Sequence, residues 1–384
     1  MKYRSLGRSG LSASEVGLGC EHLEGENEKV VDSVIKAALE CGINIFDIFM
    51  SEPEVRKNIG KSLQGSRDKV LLQGHIGAIY ENGQYKRSRD LDLGKQCFED
   101  FMRYLRTDYV DIGMIHYVDT IEDWENVINS GIAEYALKLK EKGVIRSIGL
   151  SSHNPVAAMK AIETGLIDVL MFSINPAYDL LPEDTKADDF FVKSTFSNDR
   201  LKGIDPTRAL LYQTCEKSGV GITVMKSLGA GQLLSDKTSP FGKGLTVHQL
   251  IHYALTRPGV ASVLVGCYTK EEVYEAVRYS DISDAEKDYT SILSTTPLYS
   301  MKGKCMYCNH CLPCPSEIDI ASVTKYLDLA LISEDSIPET VTGHYGEMKN
   351  TAQDCIECGS CEQNCPFDVP VIENMRKATE LFGK

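Results

Sequence analysis

Residues 111–152 read DIGMIHYVDTIEDWENVINSGIAEYALKLKEKGVIRSIGLSS, a segment that begins and ends in short apolar runs. The runs DIGMIH and IRSIGLSS have the length and apolar content of buried strands. Between them, GIAEYALKLKEKG has helical spacing and ends at a glycine, the residue most common just after a helix. A helix that connects two strands in this way is typical of a parallel sheet. The segment therefore predicts an α/β fold.

The same alternation extends from residue 1 to about 298, and it contains eight strand-like runs, each followed by a helical segment. Eight βα units predict a closed (β/α)8 TIM barrel. The opening residues KYRSLGRSGLSAS predict a hairpin before the first barrel strand, with glycine at its turn. A doubly wound open sheet is the alternative, but no G-x-G-x-x-G opens a first helix here. The strand-like runs are EVGLGC, NIFDIF, KVLLQGHIG, DIGMIH, IRSIGLSS, DVLMFSI, GITVMKSL and ASVLVGC.

The composition is that of an ordinary globular protein, with 384 residues, 42% hydrophobic residues, 25% charged residues and a net charge of -14. No basic stretch provides a nucleic-acid footprint. The start, MKYRSLGRSG, lacks the apolar region of a secretory signal, and no segment is apolar for long enough to span a bilayer. We therefore expect a cytoplasmic protein without a nucleic-acid or membrane partner.

The cysteines separate into two groups, since eight of the 13 lie in two short runs near the C-terminus. The runs are KCMYCNHCLPCP (304–315) and CIECGSCEQNCP (355–366). Thiolate sulfur suits zinc or an iron–sulfur cluster. The second run matches C-x2-C-x2-C-x3-C-P of bacterial two-cluster ferredoxins, and the first is one residue shorter. The spacing favours two [4Fe–4S] clusters over zinc. The remaining cysteines are predicted to be buried small apolar residues: Cys20, Cys41, Cys97, Cys215 and Cys267.

In ferredoxins with two such runs, the fourth cysteine of each run binds the other cluster. The first cluster is then predicted on Cys305, Cys308, Cys311 and Cys365, and the second on Cys314, Cys355, Cys358 and Cys361. Together they would form an electron relay, while a purely structural role is the alternative. The chain is thus predicted to divide into a barrel, residues 1–298, and a small helical ferredoxin-like iron–sulfur domain, residues 299–384.

Nearly the whole chain resembles the aldo-keto reductase family, in its subgroup with a C-terminal ferredoxin-like domain that holds two [4Fe–4S] clusters. That family is a (β/α)8 barrel that moves hydride between NAD(P)H and a carbonyl. Its catalytic Asp, Tyr, Lys and His lie on the C-terminal face of the barrel. The stretches that carry the resemblance are KYRSLGRSGLSASEVGLGC, GINIFD, DYVDIGMIH, IRSIGLSSHNP, VMKSLGAGQLL, VLVGCYTKEEVYEAV and the cysteine tail.

The resemblance implies that Asp47 and His116 occupy the family's Asp and His positions. Glu52 and His75 stand where the family has its Tyr and Lys, so standard carbonyl reduction is not expected. Asp47, His75 and His116 should meet at the ends of neighbouring strands, where a histidine could transfer a proton near neutral pH. Alternatives are a helix-capping Asp47, a core His116 and a metal site made by all three side chains. Further candidates are Tyr80, Tyr85 and Tyr117 as proton donors and Arg56 as an anion anchor.

The resemblance also implies a nicotinamide pocket, though an altered one. Met171, Tyr268 and Ala276 replace the family's usual Gln, Arg and Asn, so the sequence allows NAD(P)H but does not support NADP specificity. A flavin would couple hydride to single electrons, yet no flavin motif is found. The residues that match the family's cofactor pocket are Ser151, Ser152, Asn175, Lys226, Ser227, Leu228 and Gly266.

These features predict an iron–sulfur oxidoreductase that couples electron transfer through two clusters to redox chemistry of a small carbonyl or hydroxy compound. The expected partners are that small substrate and a redox protein such as a ferredoxin. One alternative is an electron-transfer subunit with a non-catalytic barrel, and another is an acid–base enzyme that uses no nicotinamide. The polar loop at residues 182–206 is predicted to lie on the catalytic face, as a lid or a disordered segment.

Overall fold

The fold was obtained as a computed structural model, which describes residues 1–179, 181, 205–289, 292, 305, 311–332, 337, 339–365 and 369–383. Nearly all of the loop predicted as a lid, and Cys308 among the predicted cluster ligands, lie outside the described residues. Within the described residues, no helix is both long and apolar enough to cross a membrane.

Eight parallel strands close into a barrel in the order β10-β11-β12-β3-β4-β5-β8-β9, which confirms the predicted (β/α)8 architecture. A core of buried apolar residues fills the layer between these strands and the surrounding helices. The strands are β1 (Tyr3–Ser5), β2 (Ser12–Ser14), β3 (Val16–Gly19), β4 (Ile45–Ile48), β5 (Leu71–Ile76), β6 (Ala78–Glu81), β7 (Gln84–Arg87), β8 (Val110–Ile115), β9 (Ile145–Ser152), β10 (Val169–Ser173), β11 (Gly221–Met225) and β12 (Val260–Gly266).

The first barrel helix illustrates why these segments are helical. The Asn27 side chain accepts hydrogen bonds from the backbone N–H groups of Lys29 and Val30, which satisfies donors at the start of the helix. The barrel helices are α1 (Glu28–Glu40), α2 (Pro53–Ser62), α3 (Leu91–Leu105), α4 (Ile121–Asn129), α5 (Ile132–Glu141), α6 (Pro155–Ile162), α7 (Pro176–Asp179), α8 (Pro206–Ser218), α9 (Val247–Leu255), α10 (Lys270–Val277) and α11 (Asp284–Lys287).

The predicted N-terminal hairpin is present, since β1 and β2 pair in antiparallel register. Its buried Leu6 and Leu11 pack with residues from the first positions of the barrel strands, such as Val169, and so cover the amino-terminal end of the barrel. Gly7 is required in the connection, because a Cβ at this position would lie 2.3 Å from the carbonyl oxygen of Gly219. In barrels of this kind the functional site lies at the opposite, carboxyl-terminal end.

A second hairpin, β6–β7, follows β5 where the sequence suggested only a loop. Its turn residues Asn82 and Gly83 have φ angles of 53° and 81°. These values suit the type I′ turn that joins twisted strands, for which Asn-Gly is the preferred pair. The Asn-Gly pair in the sequence is the signal that would have predicted this hairpin.

The chain forms two compact units, of which the first holds the barrel. Among the described residues, the second unit contains Glu81–Lys86 from the β6–β7 hairpin together with the chain from Cys305 onward. Within it, Gln84 Nε2 donates to the carbonyl oxygen of Cys314 at 2.8 Å. The helices of this unit pack around a separate apolar core. They are α12 (Ile320–Ile332), α13 (Glu339–Glu347), α14 (Ser360–Asn364) and α15 (Val371–Phe382).

Candidate active site

Three polar side chains meet inside the carboxyl-terminal end of the barrel. Asp47 lies on β4, His75 on β5 and His116 directly after β8. These strands are neighbours in the barrel, so their inward-facing residues converge. Asp47 and His116 are each 5% exposed and His75 is 1% exposed. The sequence predicted this grouping, and the structure brings all three side chains together.

The three side chains form one hydrogen-bonded chain. His75 Nε2 lies 2.9 Å from Asp47 Oδ1. On its other side, His75 Nδ1 lies 2.8 Å from His116 Nδ1. Each of these bonds requires one proton between its two atoms. The geometry is that of a proton relay from a carboxylate through two imidazoles.

When both histidines are neutral, the hydrogen bonds of the relay fix which ring nitrogen carries each proton. An ionised Asp47 only accepts, so His75 carries its proton on Nε2 and presents a lone pair on Nδ1. His116 must then donate from its own Nδ1, and its Nε2 carries the lone pair. The pair therefore takes up or releases a proton through His116 Nε2, while Asp47 and His75 balance the change in charge.

The contacts of these residues bear on two alternative roles, a helix cap by Asp47 and a shared metal site. Asp47 pairs with His75 and Gln73 and caps no described helix. The direct bonds engage both ring nitrogens of His75, which leaves no room for a shared ion. Across the described ranges, no three His, Cys, Asp or Glu side chains are arranged to hold a metal ion. Proton transfer is the chemistry that this arrangement supports.

The side chains of Glu52 and Arg56, at the start of helix α2, contact neighbouring parts of the chain. The Glu52 carboxylate accepts from the backbone N–H of Val55 at 2.6 Å and caps the helix, so it does not replace the family's Tyr. Arg56 is buried, donates to the carbonyl of Met50 at 2.6 Å and lies 4.9 Å over the Phe101 ring. Burial lowers the pKa of Arg56 to about 10. The Arg56 guanidinium packs against Phe101 of α3, and its role as an anchor for an anionic substrate stays a prediction.

Tyr117 is held in a strained conformation beside the relay, with a φ angle of 49°. Its ring centroid lies 6.2 Å from that of His116 and 5.1 Å from that of His153. Arg89 donates to the carbonyls of both His116 and Tyr117, which fixes the backbone at this point. Of the tyrosines proposed as donors, Tyr117 borders the relay, whereas Tyr80 and Tyr85 lie on the β6–β7 hairpin.

Further residues shape the mouth of the barrel and were not predicted. Burial raises the pKa of Glu21, an effect that Asp47 reinforces and Lys226 opposes. Burial also lowers the pKa of His153, an effect that Asp119 opposes through a contact of 2.9 Å to His153 Nδ1. Glu21 lies two residues after β3 and His153 directly follows β9, positions that point to the site in this fold.

Polar groups predicted to hold nicotinamide make hydrogen bonds to the backbone of the chain. Ser151 Oγ accepts from the backbone N–H of Tyr117 at 2.7 Å. Asn175 donates to the carbonyl of Lys226 and accepts from the backbone N–H of Tyr178, each at 2.9 Å. Ser152 and Ser227 are also buried. Each polar atom of Asn175 thus has one partner within the chain, which leaves one N–H and one lone pair of the amide for a further bond.

The loop after β12 lies where such barrels bind phosphate. Its residues also make contacts with other groups of the chain. The His22 ring covers Gly266, since a Cβ at Gly266 would lie 2.4 Å from His22 Cδ2. That ring stacks on Tyr268 with centroids 4.2 Å apart. The backbone N–H groups of Tyr268 and Thr269 donate to Glu272. These contacts tie the loop to the chain itself, and binding of NAD(P)H stays a prediction.

The second unit holds a separate site built from cysteines. Four thiols line one largely apolar cavity: Cys314, Cys355, Cys358 and Cys361. They include one cysteine from the first run and three from the second, the set predicted to bind the second cluster. Apolar side chains complete the cavity, among them Ile318, Ile320, Val371 and Met375.

The donor set fits an iron–sulfur cluster. The described cysteines are all free thiols. Burial raises the pKa of Cys361 to about 11, which disfavours a thiolate there without a positive partner. Four soft sulfur ligands around an apolar cavity suit a cube of iron and sulfide, because iron supplies that charge. Cys305, Cys311 and Cys365 pack on the same core.

Comparison with known proteins agrees with this geometry. The sequence model of the aldo/keto reductase family matches residues 15–249, more than half of the chain. A model of the 4Fe-4S dicluster domain matches residues 304–370. The chain belongs to the aldo/keto reductase family of oxidoreductases. Its C-terminal part is an iron–sulfur domain.

Individual relatives cover most of the barrel. The chain is 27% identical over 288 residues to the uncharacterized oxidoreductase YqkF of Bacillus subtilis, a match of 72% of this chain and 90% of the relative. It is 25% identical over 336 residues to aldo-keto reductase YhdN of the same organism, covering 77% and 95%. Aldo-keto reductase AKR11C1 from Bacillus halodurans shares the fold, with a TM-score of 0.59, 24% identity and coverage of 77% and 97%.

Proposed function

We propose that the protein interconverts a small carbonyl compound and its hydroxy compound, with two [4Fe–4S] clusters as its electron carriers. The observation that carries the proposal is the hydrogen-bonded chain from Asp47 through His75 to His116. It supplies a proton donor in a barrel that lacks the family's Tyr and Lys. The iron–sulfur domain supplies a carrier for the electrons.

The reaction balances with the groups available. Reduction of a carbonyl to a hydroxyl takes two electrons and two protons. His116, when protonated on both ring nitrogens, gives the proton on Nε2 to the carbonyl oxygen, and water supplies the other. Each cluster would carry one electron, so two clusters would together match the demand. A low-potential redox protein of the ferredoxin class restores the electrons.

His75 and Asp47 support the proton transfer at His116. When His116 gives up its proton, His75 accepts the hydrogen bond from His116 Nδ1, and Asp47 holds the opposite N–H of His75. The Phe49 ring lies 5.9 Å from the His116 ring and 6.1 Å from the His75 ring, and it limits access of water to the pair. A partly dry site strengthens both hydrogen bonds.

The test uses the full chain purified without air. Turnover of a panel of small aldehydes and ketones is measured with reduced methyl viologen, and in parallel with NADPH and NADH. We expect turnover with the viologen, and a loss of about 10²- to 10⁴-fold in His116→Ala, which removes the general acid, and in His75→Ala, which removes its hydrogen-bonded support. His252→Gln on α9 is the matched control and should retain activity and iron content.

Two results would reject the proposal. Unchanged turnover in both relay variants would show that the histidines do not transfer the proton. Absence of turnover for wild type, with fast electron exchange between the clusters and a ferredoxin, would instead support an electron-transfer subunit with a non-catalytic barrel.

A further inference from the structure

Gln73 is a buried polar residue that the predicted relay did not include. It lies on β5 two residues before His75, and therefore on the same inward face of the strand. Its side chain has no solvent exposure. Gln73 Nε2 donates to Asp47 Oδ1 at 2.8 Å and lies 3.4 Å from Met171 Sδ. Asp47 Oδ1 thus accepts from both Gln73 and His75.

The orientation of the Gln73 amide leaves its buried oxygen, Oε1, without a hydrogen-bond partner among the described residues. Turning the amide over would place Oε1 against the Asp47 carboxylate, where two acceptors repel. An unpaired buried acceptor is unfavourable. The hydrogen bond from Gln73 Nε2 to Asp47 must therefore be more favourable than the cost of leaving Gln73 Oε1 unpaired.

We propose that Gln73 is a positioning residue that keeps Asp47 ionised and thereby sets the proton positions on both histidines. The proposal rests on the proposed function for its catalytic consequence. A donor to a carboxylate stabilises the ionised form. With Gln73 in place, the proton between Asp47 and His75 stays on His75 Nε2. His75 Nδ1 then accepts, and His116 Nδ1 donates.

Without the Gln73 N–H, the carboxylate keeps only one of its two donors. The proton on His75 Nε2 then moves more readily to Asp47, and the bond between the two imidazoles loses its fixed direction. His116 is then more often a neutral imidazole, which accepts at Nδ1 and holds its proton on Nε2, and a neutral imidazole is a far weaker acid than an imidazolium. Because Gln73 acts through Asp47 in this proposal, binding of the substrate should change little.

Other charged groups around the relay contribute to its pH dependence and are unchanged by substitution of Gln73. Glu21 and Cys20 interact with Asp47, and Lys226 interacts with Glu21. Arg89 donates to the His116 carbonyl, and Tyr117 borders the His116 ring. A shift of the pH profile between wild type and a Gln73 variant can therefore be assigned to the amide.

The experiment compares Gln73→Met, which keeps the length and removes the donor, with Gln96→Met on the exposed face of α3. In ¹⁵N-histidine spectra, wild type and Gln96→Met should show the same fixed pattern of ring nitrogens for His75 and His116. Gln73→Met should show averaged ring-nitrogen shifts for this pair. With the carbonyl panel, Gln73→Met should lower kcat about 10- to 100-fold and displace the midpoint of its pH profile, with KM within about twofold.

A Gln73→Met protein that is less stable, but has unchanged histidine spectra and pH midpoint, would show a packing role and overturn the proposal. Gln73→Glu provides a second variant, because it fills the same volume and can donate only when protonated. Its histidine pattern should return towards wild type at low pH. The spectra do not require turnover, so an inactive wild type would reject the proposed function while they still decide the role of Gln73.

Discussion

At the scale of residues, Glu52 and His75 stand where the family has its Tyr and Lys. A Tyr–Lys pair supplies a proton from a phenol that a cation acidifies, whereas the proposed donor here is the His116 imidazole, which is hydrogen-bonded through His75 to Asp47. An imidazole can transfer a proton near neutral pH without a cation beside it. The sequence predicted these residues as one group, and their direct contact required the structure.

Glu21 gives a pH prediction at this scale. Burial raises its pKa, so between pH ~4.3, the usual value for Glu, and its raised value the folded protein binds more protons than the unfolded chain. The contribution of Glu21 to stability is therefore present at acidic pH and lost as pH rises through the folded value. Glu21→Gln should be more stable than wild type at pH ~7 and closer to it at pH ~4.5.

Urea unfolding of the two proteins at both pH values checks this expectation. Glu40→Gln, at the exposed end of α1, is the matched control and should show no such difference. A Glu21→Gln protein less stable than wild type at neutral pH would mean that the carboxylate makes a net favourable interaction, with Lys226 the cation that opposes the rise of its pKa.

At the scale of elements, the segment after β10 is anchored by a buried ion pair. Asp179, at the end of α7, accepts from Arg208 Nε at 3.0 Å, Tyr212 Oη at 2.5 Å and Tyr253 Oη at 3.0 Å. Burial raises the pKa of both tyrosines well above the usual value. One carboxylate thus joins α7, α8 and α9.

Asp179→Ala should lower the free energy of unfolding by about 3–5 kcal/mol, because it leaves the buried Arg208 charge without its partner. Glu52→Ala, which removes only the cap of α2, should lower it by about 1 kcal/mol. Chemical denaturation monitored by circular dichroism measures both. Equal losses in the two variants would show that Asp179 is no more than an ordinary helix contact.

At the scale of the whole molecule, one chain combines a barrel with an iron–sulfur domain whose ligands come from two separated runs. The cavity lined by Cys314, Cys355, Cys358 and Cys361 takes a thiol from the first run and three from the second. Each cluster would thus join distant parts of the chain. Loss of a single ligand should therefore affect one cluster specifically.

Cys314→Ser should remove the cluster that Cys358→Ser removes, since both residues line one cavity. Each variant should lose about four of about eight iron atoms and leave the same single-cluster electron paramagnetic resonance spectrum after reduction. Cys215→Ser, a buried barrel cysteine, is the control and should keep full iron content. Different residual spectra for Cys314→Ser and Cys358→Ser would assign Cys314 to the other cluster.

The sequence by itself determined the barrel, the N-terminal hairpin and the cysteine runs, because periodicity, turn residues and ligand spacing are local properties of the chain. Only the tertiary structure decided that Glu52 caps a helix, that Arg56 is buried and that Gln73 joins the relay. It also placed His22 over Gly266. These outcomes depend on which strands and loops become neighbours, and contacts between distant residues leave no periodic signal in one sequence.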